Sequence, residues 1–333
     1  MVRTSAVRFR APRSVGLVKI DLPPVGEGQA LVRTLCSGIS GGTELLAYRG
    51  EIDPNTPLDD TLEALSGTFA FPFAYGYSIV GVVEQSACDL EEGALVFCFH
   101  SHQGHVVAPC REMVVLEGIE PRLATMFPLV ETALQISLDA GLVNDETVVV
   151  LGLGPVGLLT GVLLARAGAT VLGSDPLTWR RAVGGSFSVD AVAPEDIASR
   201  TAEATGGGGV PLVVETSGNP QALTSALSLL AHEGVALVAS WYGTRPVELP
   251  LGGSFHRRRL TLKSTQVSTI AASQSVRWSI DRRRQAALRL MGELPLKRLA
   301  THDFPLRQAA DAFRALDTKS EGLIHAALIY DEE

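Results

Sequence analysis

Apolar residues change rhythm twice along this chain. Over roughly the first hundred residues they come in short runs such as Ala30–Thr34, Ile79–Glu84 and Leu95–Phe99. Glycine and proline punctuate these runs, at Pro23-Pro24, Gly38, Gly41-Gly42, Pro54, Pro57, Gly67, Pro72, Gly76 and Gly81. Such spacing predicts short strands in a small barrel-like β domain, and the alternation through Ala6-Val7-Arg8-Phe9 predicts its first strand. A polar loop, Asp53 to Gly67, is placed to lie over a cleft. From about residue 129 strand-like and helix-like segments alternate: strand Thr147–Leu151, helix Val156–Ala167, strand Thr170–Gly173, strand Val210–Thr216, helix Pro220–Leu230 and strand Val235–Ser240. That order predicts an α/β, doubly wound parallel sheet. After Val267 the pattern turns helical, at Arg277–Met291 and Leu306–Leu316, before a last apolar strand at Ala326–Tyr330. Gly206–Gly209 reads as a turn.

Composition changes this picture little. With 333 residues, 46% of them apolar and 19% charged, the chain has enough material for two packed domains. A formal charge of −8 gives no electrostatic reason to expect nucleic acid or anionic membrane as a partner. The arginine clusters Arg257–Arg259 and Arg282–Arg284 read as solvated faces. Val148–Ala165 carries no charge and is long enough to raise a membrane span. Its β-branched start, glycine-proline middle and Leu-rich end instead predict a buried strand, a turn and a buried helix. The N-terminus has no secretory core, and its arginines leave a transit peptide as the weaker reading. Cys36, Cys88, Cys98 and Cys110 are few and irregularly spaced, which predicts a reduced, cytoplasmic protein.

The most informative motif is VVVLGLGPVGLL, residues 148–159. Gly152, Gly154 and Gly157 stand in the G-x-G-x-x-G spacing, between a predicted strand and the helix that opens at Pro155 and Val156. The three glycines serve, in turn, a tight turn, approach of the backbone to a pyrophosphate and close helix–sheet packing. The helix start supplies free N–H groups and a positive dipole end for the phosphates. A second strand ends in Asp175, at the fingerprint's distance of about twenty residues. A carboxylate there accepts from ribose hydroxyls and repels a 2′-phosphate, which favours NAD. Arg180 and Arg181 follow closely and leave NADP open.

At this point the chain resembles the medium-chain dehydrogenase/reductase superfamily, on CSGISGGTE (36–44), YGYSIVGVVE (75–84), VVVLGLGPVG (148–157), VVETSGNP (213–220) and THDFPLRQAADAF (301–313). It is most similar to a divergent branch with a GIS-x-GTE signature, to which bacteriochlorophyllide dehydrogenases belong. The resemblance implies a GroES-like β-barrel-type catalytic domain over residues 1–128 and 269–333, and a Rossmann dinucleotide-binding domain over 129–268. It also implies hydride transfer with a small-molecule substrate, a homodimer, and placement of Glu131 and Thr132 near the nicotinamide ring. Thr216, Ser217 and Gly218, at the end of a later parallel strand, are expected to line the cofactor crevice. Trp241 and Tyr242 are expected to form an aromatic wall for substrate or merely to cover the core.

The departures from the family pattern carry the mechanism. Where zinc members place their catalytic ligands, this chain has Ser40, Tyr77-Ser78 and the neighbourhood of Phe127-Pro128, so no catalytic zinc is expected. Cys98, His100 and His102 would share one face of a strand, but residues at that spacing spread along a strand and do not converge on an ion. Without a metal, a hydrogen-bond donor must stabilise the alkoxide-like oxygen. Tyr77 is one candidate, with filling of the vacated metal cavity as its plainer role. Ser40, Thr43 and Glu44 are candidates to relay a proton, or otherwise form a turn held by hydroxyls. His102 is a shuttle candidate or a structural histidine. His256 and Arg257 read either as an anion contact or as a surface loop. Two other functions stay open: an NADPH-dependent enoyl or quinone C=C reductase, and a dinucleotide-binding protein without catalysis.

Overall fold

A computed structural model describes residues 2–62 and 64–331. In chain order the strands are β1 (Arg3–Ala11), β2 (Ser14–Asp21), β3 (Gln29–Ile39), β4 (Ile79–Ser86), β5 (Leu95–Cys98), β6 (His105–Pro109), β7 (Met113–Val115), β8 (Thr147–Leu151), β9 (Thr170–Ser174), β10 (Val189–Val192), β11 (Val210–Glu215), β12 (Leu230–Val238), β13 (Thr261–Ser264), β14 (Ala300–Pro305) and β15 (His325–Ile329). The helices are α1 (Thr43–Arg49), α2 (Pro121–Ala124), α3 (Phe127–Ala140), α4 (Pro155–Arg166), α5 (Thr178–Ala182), α6 (Ile197–Thr205), α7 (Pro220–Leu229), α8 (Ile280–Met291) and α9 (Ala309–Asp317). The chain divides into two units: residues 1–128 with 299–333, and residues 129–298.

The first unit is mostly β. Its larger sheet runs β14-β15-β3-β4-β5-β7, with β6 also paired to β3, and β1 and β2 form a separate antiparallel ribbon. Alternation in β1 puts Val7 and Phe9 wholly inside, against α1, α9 and the aromatic segment 69–75. Phe9 stacks on Phe73 with centroids 5.1 Å apart and meets Phe313 of α9 edge-on. Helix α9 joins that core because Ala309, Ala312, Phe313 and Leu316 recur at three- and four-residue steps on one buried face.

The second unit is a six-stranded sheet, β10-β9-β8-β11-β12-β13, parallel throughout. Numbered from β8, this is the 3-2-1-4-5-6 order of a Rossmann sheet, whose switch point lies between β8 and β11. The uncharged stretch 148–165 forms β8, a turn and α4, and α4 is buried from Gly157 to Leu164. Among the described residues no helix is long and apolar enough to cross a membrane.

Four sequence expectations need revision. Residues 269–298, expected with the barrel, group with the Rossmann unit. The reason is chemical: Arg283 of α8 bonds Glu131 and Gln135 of α3, and Gln274 donates to the carbonyl of Leu138. Arg283 is therefore not part of a solvated face but is 2% exposed, whereas Arg257–Arg259 are exposed as expected. Not all cysteines are free either. Cys88 and Cys110 form a disulfide, while Cys36 and Cys98 stay buried thiols that burial pushes up to about 12. Strand β3 explains the bond, because its residue Ala30 pairs with Ser86 of β4 on one side and Ala108 of β6 on the other. Finally, β5 ends at Cys98, so the two following histidines lie on an irregular segment and His102 is fully buried.

Candidate active site

In the Rossmann unit the glycine motif forms the cradle that the sequence predicts. A Cβ on Gly157 would lie 1.9 Å from the carbonyl oxygen of Gly152 and 2.7 Å from Thr216 Oγ1, so only glycine lets α4 start this close to the sheet. Gly154, Pro155 and Val156 are partly exposed at the start of α4, where backbone N–H groups and the helix dipole are open to an anion. Thr216 closes the turn by donating to the carbonyls of Leu151 and Gly152, at 3.0 and 2.7 Å.

Asp175 lies at the end of β9, 2% exposed. Its Oδ2 accepts from Leu153 N and its Oδ1 from Leu177 N, both at 2.9 Å, which ties the carboxylate to the glycine turn. Oδ1, with a single donor, keeps a further lone pair for a ribose hydroxyl. Arg180 approaches Oδ2 at 3.4 Å, and its terminal nitrogen is 3.8 Å from where a Gly154 Cβ would sit. The cradle, the carboxylate and the helix start together fit a dinucleotide.

Glu215 was not singled out in the sequence, yet it organises the next loop. Wholly buried at the end of β11, it accepts from Ser217 N, Ser217 Oγ and Gly218 N through Oε1, and from the Tyr242 hydroxyl at 2.6 Å through Oε2. Tyr242 is thus held by Glu215 instead of standing free as a substrate wall, while Trp241 is 42% exposed. Its signal lay inside VVETSG, as the one acid in an apolar strand. Glu131, expected beside the nicotinamide, is engaged by Arg283 at 3.0 Å and is buried. Its neighbour Thr132 is half-buried.

In the first unit the structure gathers all five residues expected to do acid–base work. Ser40 follows β3, and Thr43 and Glu44 open α1. Tyr77 precedes β4, and His102 lies between β5 and β6. Glu44 Oε1 accepts from Ser40 N at 2.9 Å, and Glu44 Oε2 meets His102 Nε2 at 2.8 Å, with both side chains fully buried. The imidazole gets this close because Gly76 lacks a Cβ: one there would sit 2.6 Å from Nε2, on a backbone with φ of +123°. Burial and then the charge of Glu44 push the Tyr77 phenol up, while hydrogen bonds with Ser40 and Thr43 pull it down.

Two further members were invisible in sequence. His102 Nδ1 lies 2.8 Å from Ser37 Oγ, which lies 2.9 Å from the Tyr330 hydroxyl. One arrangement of protons satisfies the chain: Tyr330 donates to Ser37, Ser37 to His102 Nδ1, and His102 Nε2 to Glu44. Ser37 and Tyr330 are 293 residues apart, joined because β15 pairs with β3.

Zinc is a poor match for these residues. Ser78 Oγ donates to the carbonyl of Thr125, and Phe127 packs against Phe97 at 5.0 Å, so these positions hold neither thiolate nor imidazole. Among the described residues no three His, Cys, Asp or Glu side chains gather as a metal site would need.

Comparison with known proteins finds dehydrogenases. The family model for zinc-binding dehydrogenases matches residues 155–289. The chain is 25% identical over 337 residues to 2-desacetyl-2-hydroxyethyl bacteriochlorophyllide A dehydrogenase of Cereibacter sphaeroides, covering 94% of each. Among solved structures it is similar to 2R,3R-butanediol dehydrogenase from Bacillus subtilis, with a TM-score of 0.81, 19% identity, and coverage of 98% and 100%. It is also similar to an alcohol dehydrogenase of Escherichia coli CFT073 complexed with NADH, with a TM-score of 0.77, 15% identity, and coverage of 99% and 100%. A Rossmann unit with an intact dinucleotide fingerprint, a second, mostly β unit and these dehydrogenase likenesses together support a two-domain oxidoreductase. These likenesses support the reading of the chain as similar to the medium-chain dehydrogenase/reductase superfamily.

Proposed function

We propose that the chain transfers hydride between NAD and an alcohol or carbonyl of a small organic substrate, without a catalytic zinc. The observation that carries this reading is the buried polar cluster of Tyr77, Ser40, Thr43, Glu44 and His102, where zinc ligands would otherwise be expected. Bound nicotinamide supplies the hydride chemistry, and the protein has to bind, orient and manage a proton. The unit 2 cradle holds the pyrophosphate at Gly154–Gly157 and the ribose at Asp175. The phenol of Tyr77, kept protonated by its surroundings, donates to the substrate oxygen as negative charge develops there. The hydroxyls of Ser40 and Thr43 hydrogen-bond the phenol and orient it, and the Ser40 backbone N–H ties this loop to Glu44, which His102 holds in place. Membership of the zinc-less branch, action in the cytoplasm and a homodimeric state belong to the same proposal.

One observation favours the NADPH-dependent C=C reductase as second reading. Arg180 sits beside Gly154 and Asp175, and its Nε is buried without a hydrogen-bond partner. A phosphate on the ribose would satisfy it.

Asp175→Ala separates the two. For NAD, the variant is expected to bind NADH about tenfold or more weakly, the range of a hydrogen bond to a charged group, with its preference over NADPH narrowed. Fluorescence titration with both cofactors measures this. An unchanged NADH affinity would remove Asp175 from the site, and a wild type that prefers NADPH would favour the reductase.

A further inference from the structure

We propose that unit 1 carries a binding site for a small organic anion, separate from the polar cluster. The site is a cleft of about 390 Å3 between β1, the 58–74 segment and the 100–103 segment. That size lies within the range of about 300–1,000 Å3 typical of small-ligand pockets.

The alternation of β1 creates it. Val7 and Phe9 are fully buried in the aromatic core, and their backbone N–H groups bond the carbonyls of His102 and Phe73, both at 2.9 Å. Arg8, between them on the strand, therefore belongs to the opposite face, where it lines the cleft. The neighbouring segments are thus sewn to β1 on either side of Arg8, which fixes the cleft walls without using that side chain.

Charge then selects the ligand. Among the described residues that line the cleft, Arg8 is the one permanently charged side chain, and none is an acid. Among the described residues the Arg8 side chain makes no hydrogen bond or ion pair, and the residue is only partly exposed. Other arginines of this unit are matched: Arg13 and Arg49 with Asp317, Arg33 with Glu84, and Arg122 with Asp303. A half-buried guanidinium with no acid paired to it among the described residues is a fork ready for a carboxylate or phosphate, which it can grip through two parallel hydrogen bonds. His100, also on the wall, is held neutral by burial and adds hydrogen bonding without charge. Leu58, Leu65 and Phe73, packed into the core, back the cleft wall, and Ser66, Thr68, Ser101 and Gln103 add polar groups to its lining.

Isothermal titration of the full chain with benzoate, phenyl phosphate and benzamide tests the site. The three share a ring and differ in charge and headgroup. The expected result is that at least one anion binds tenfold or more tightly than benzamide, and that Arg8→Gln removes the difference while keeping the wild-type melting temperature. The tighter of the two anions then names the headgroup, carboxylate or phosphate. Tyr77→Phe should leave this binding unchanged, which separates the cleft from the catalytic cluster. Equal affinities for all three probes, or anion binding that survives Arg8→Gln, would overturn the proposal.

Discussion

An Arg283→Ala variant is expected to lose about 3–5 kcal/mol of stability, the cost of stranding one partner of a buried ion pair. Arg283 Nε and one terminal nitrogen donate to Glu131 Oε1 at 3.1 and 3.0 Å. Its other terminal nitrogen donates to Gln135 Oε1 at 2.6 Å, and the carbonyls of Val267 and Thr269 take further bonds. Removing the guanidinium leaves the Glu131 carboxylate with only the more distant Arg284, at 3.7 Å, and strips an amide oxygen and two carbonyls of a donor in a closed interior. Urea unfolding at pH 8 should show the loss in full. Burial already raises the Glu131 carboxyl, and Arg283 is the largest influence lowering it again. Without Arg283 the folded state holds that proton more tightly than the unfolded chain, so stability falls as pH rises. The deficit should therefore narrow on moving from pH 8 to pH 5. A double variant, Arg283→Met with Glu131→Leu, should recover most of the loss, since it leaves no charge stranded. A single variant within 1 kcal/mol of wild type would mean that water reaches the pair.

Tyr77→Phe is expected to lower kcat about 10²–10³-fold, the effect of deleting one donor to a developing oxyanion, while KM and cofactor affinity change little. The ring should stay in place, because Tyr77 packs against the apolar core and meets Tyr75 edge-on at 6.2 Å. Since burial keeps the phenol protonated well above neutrality, the fold-loss should be constant from pH 6 to pH 9. The assay is NAD+ reduction with any alcohol that the wild type oxidises. An unchanged kcat would leave Tyr77 as filler for a vacated metal cavity, and a loss confined to KM would make it a binding group only.

The sequence announced those parts of the molecule whose physics is local. The glycine spacing, its position between strand and helix, and the acid at the end of the next strand are short-range features, and they form the cradle as read. Tyr77, Ser40, Thr43 and Glu44 could be placed because they fill positions in a recognisable motif, and His102 because its side-chain chemistry suits a proton. What pairing brings together was harder to read. Ser37 and Tyr330 meet only through the β3–β15 pairing, and Cys88 reaches Cys110 only because both flank β3. Arg283 looked like surface because two other arginines adjoin it. On a helix such neighbours point to different sides, and the middle one hydrogen-bonds Glu131 from the interior while Arg284 approaches it at 3.7 Å. Glu215 was hidden in an apolar strand, where a single acid reads as noise until its four hydrogen bonds are seen.

The account rests on a dinucleotide enzyme that needs no zinc, and a titration of metal-stripped protein with NADH tests this most directly. Elemental analysis of untreated protein from the same batch completes it. Saturable NADH fluorescence enhancement with one site per chain, and no stoichiometric zinc before stripping, is the predicted result. One zinc per chain, or NADH binding that disappears on stripping and returns with zinc, would contradict it.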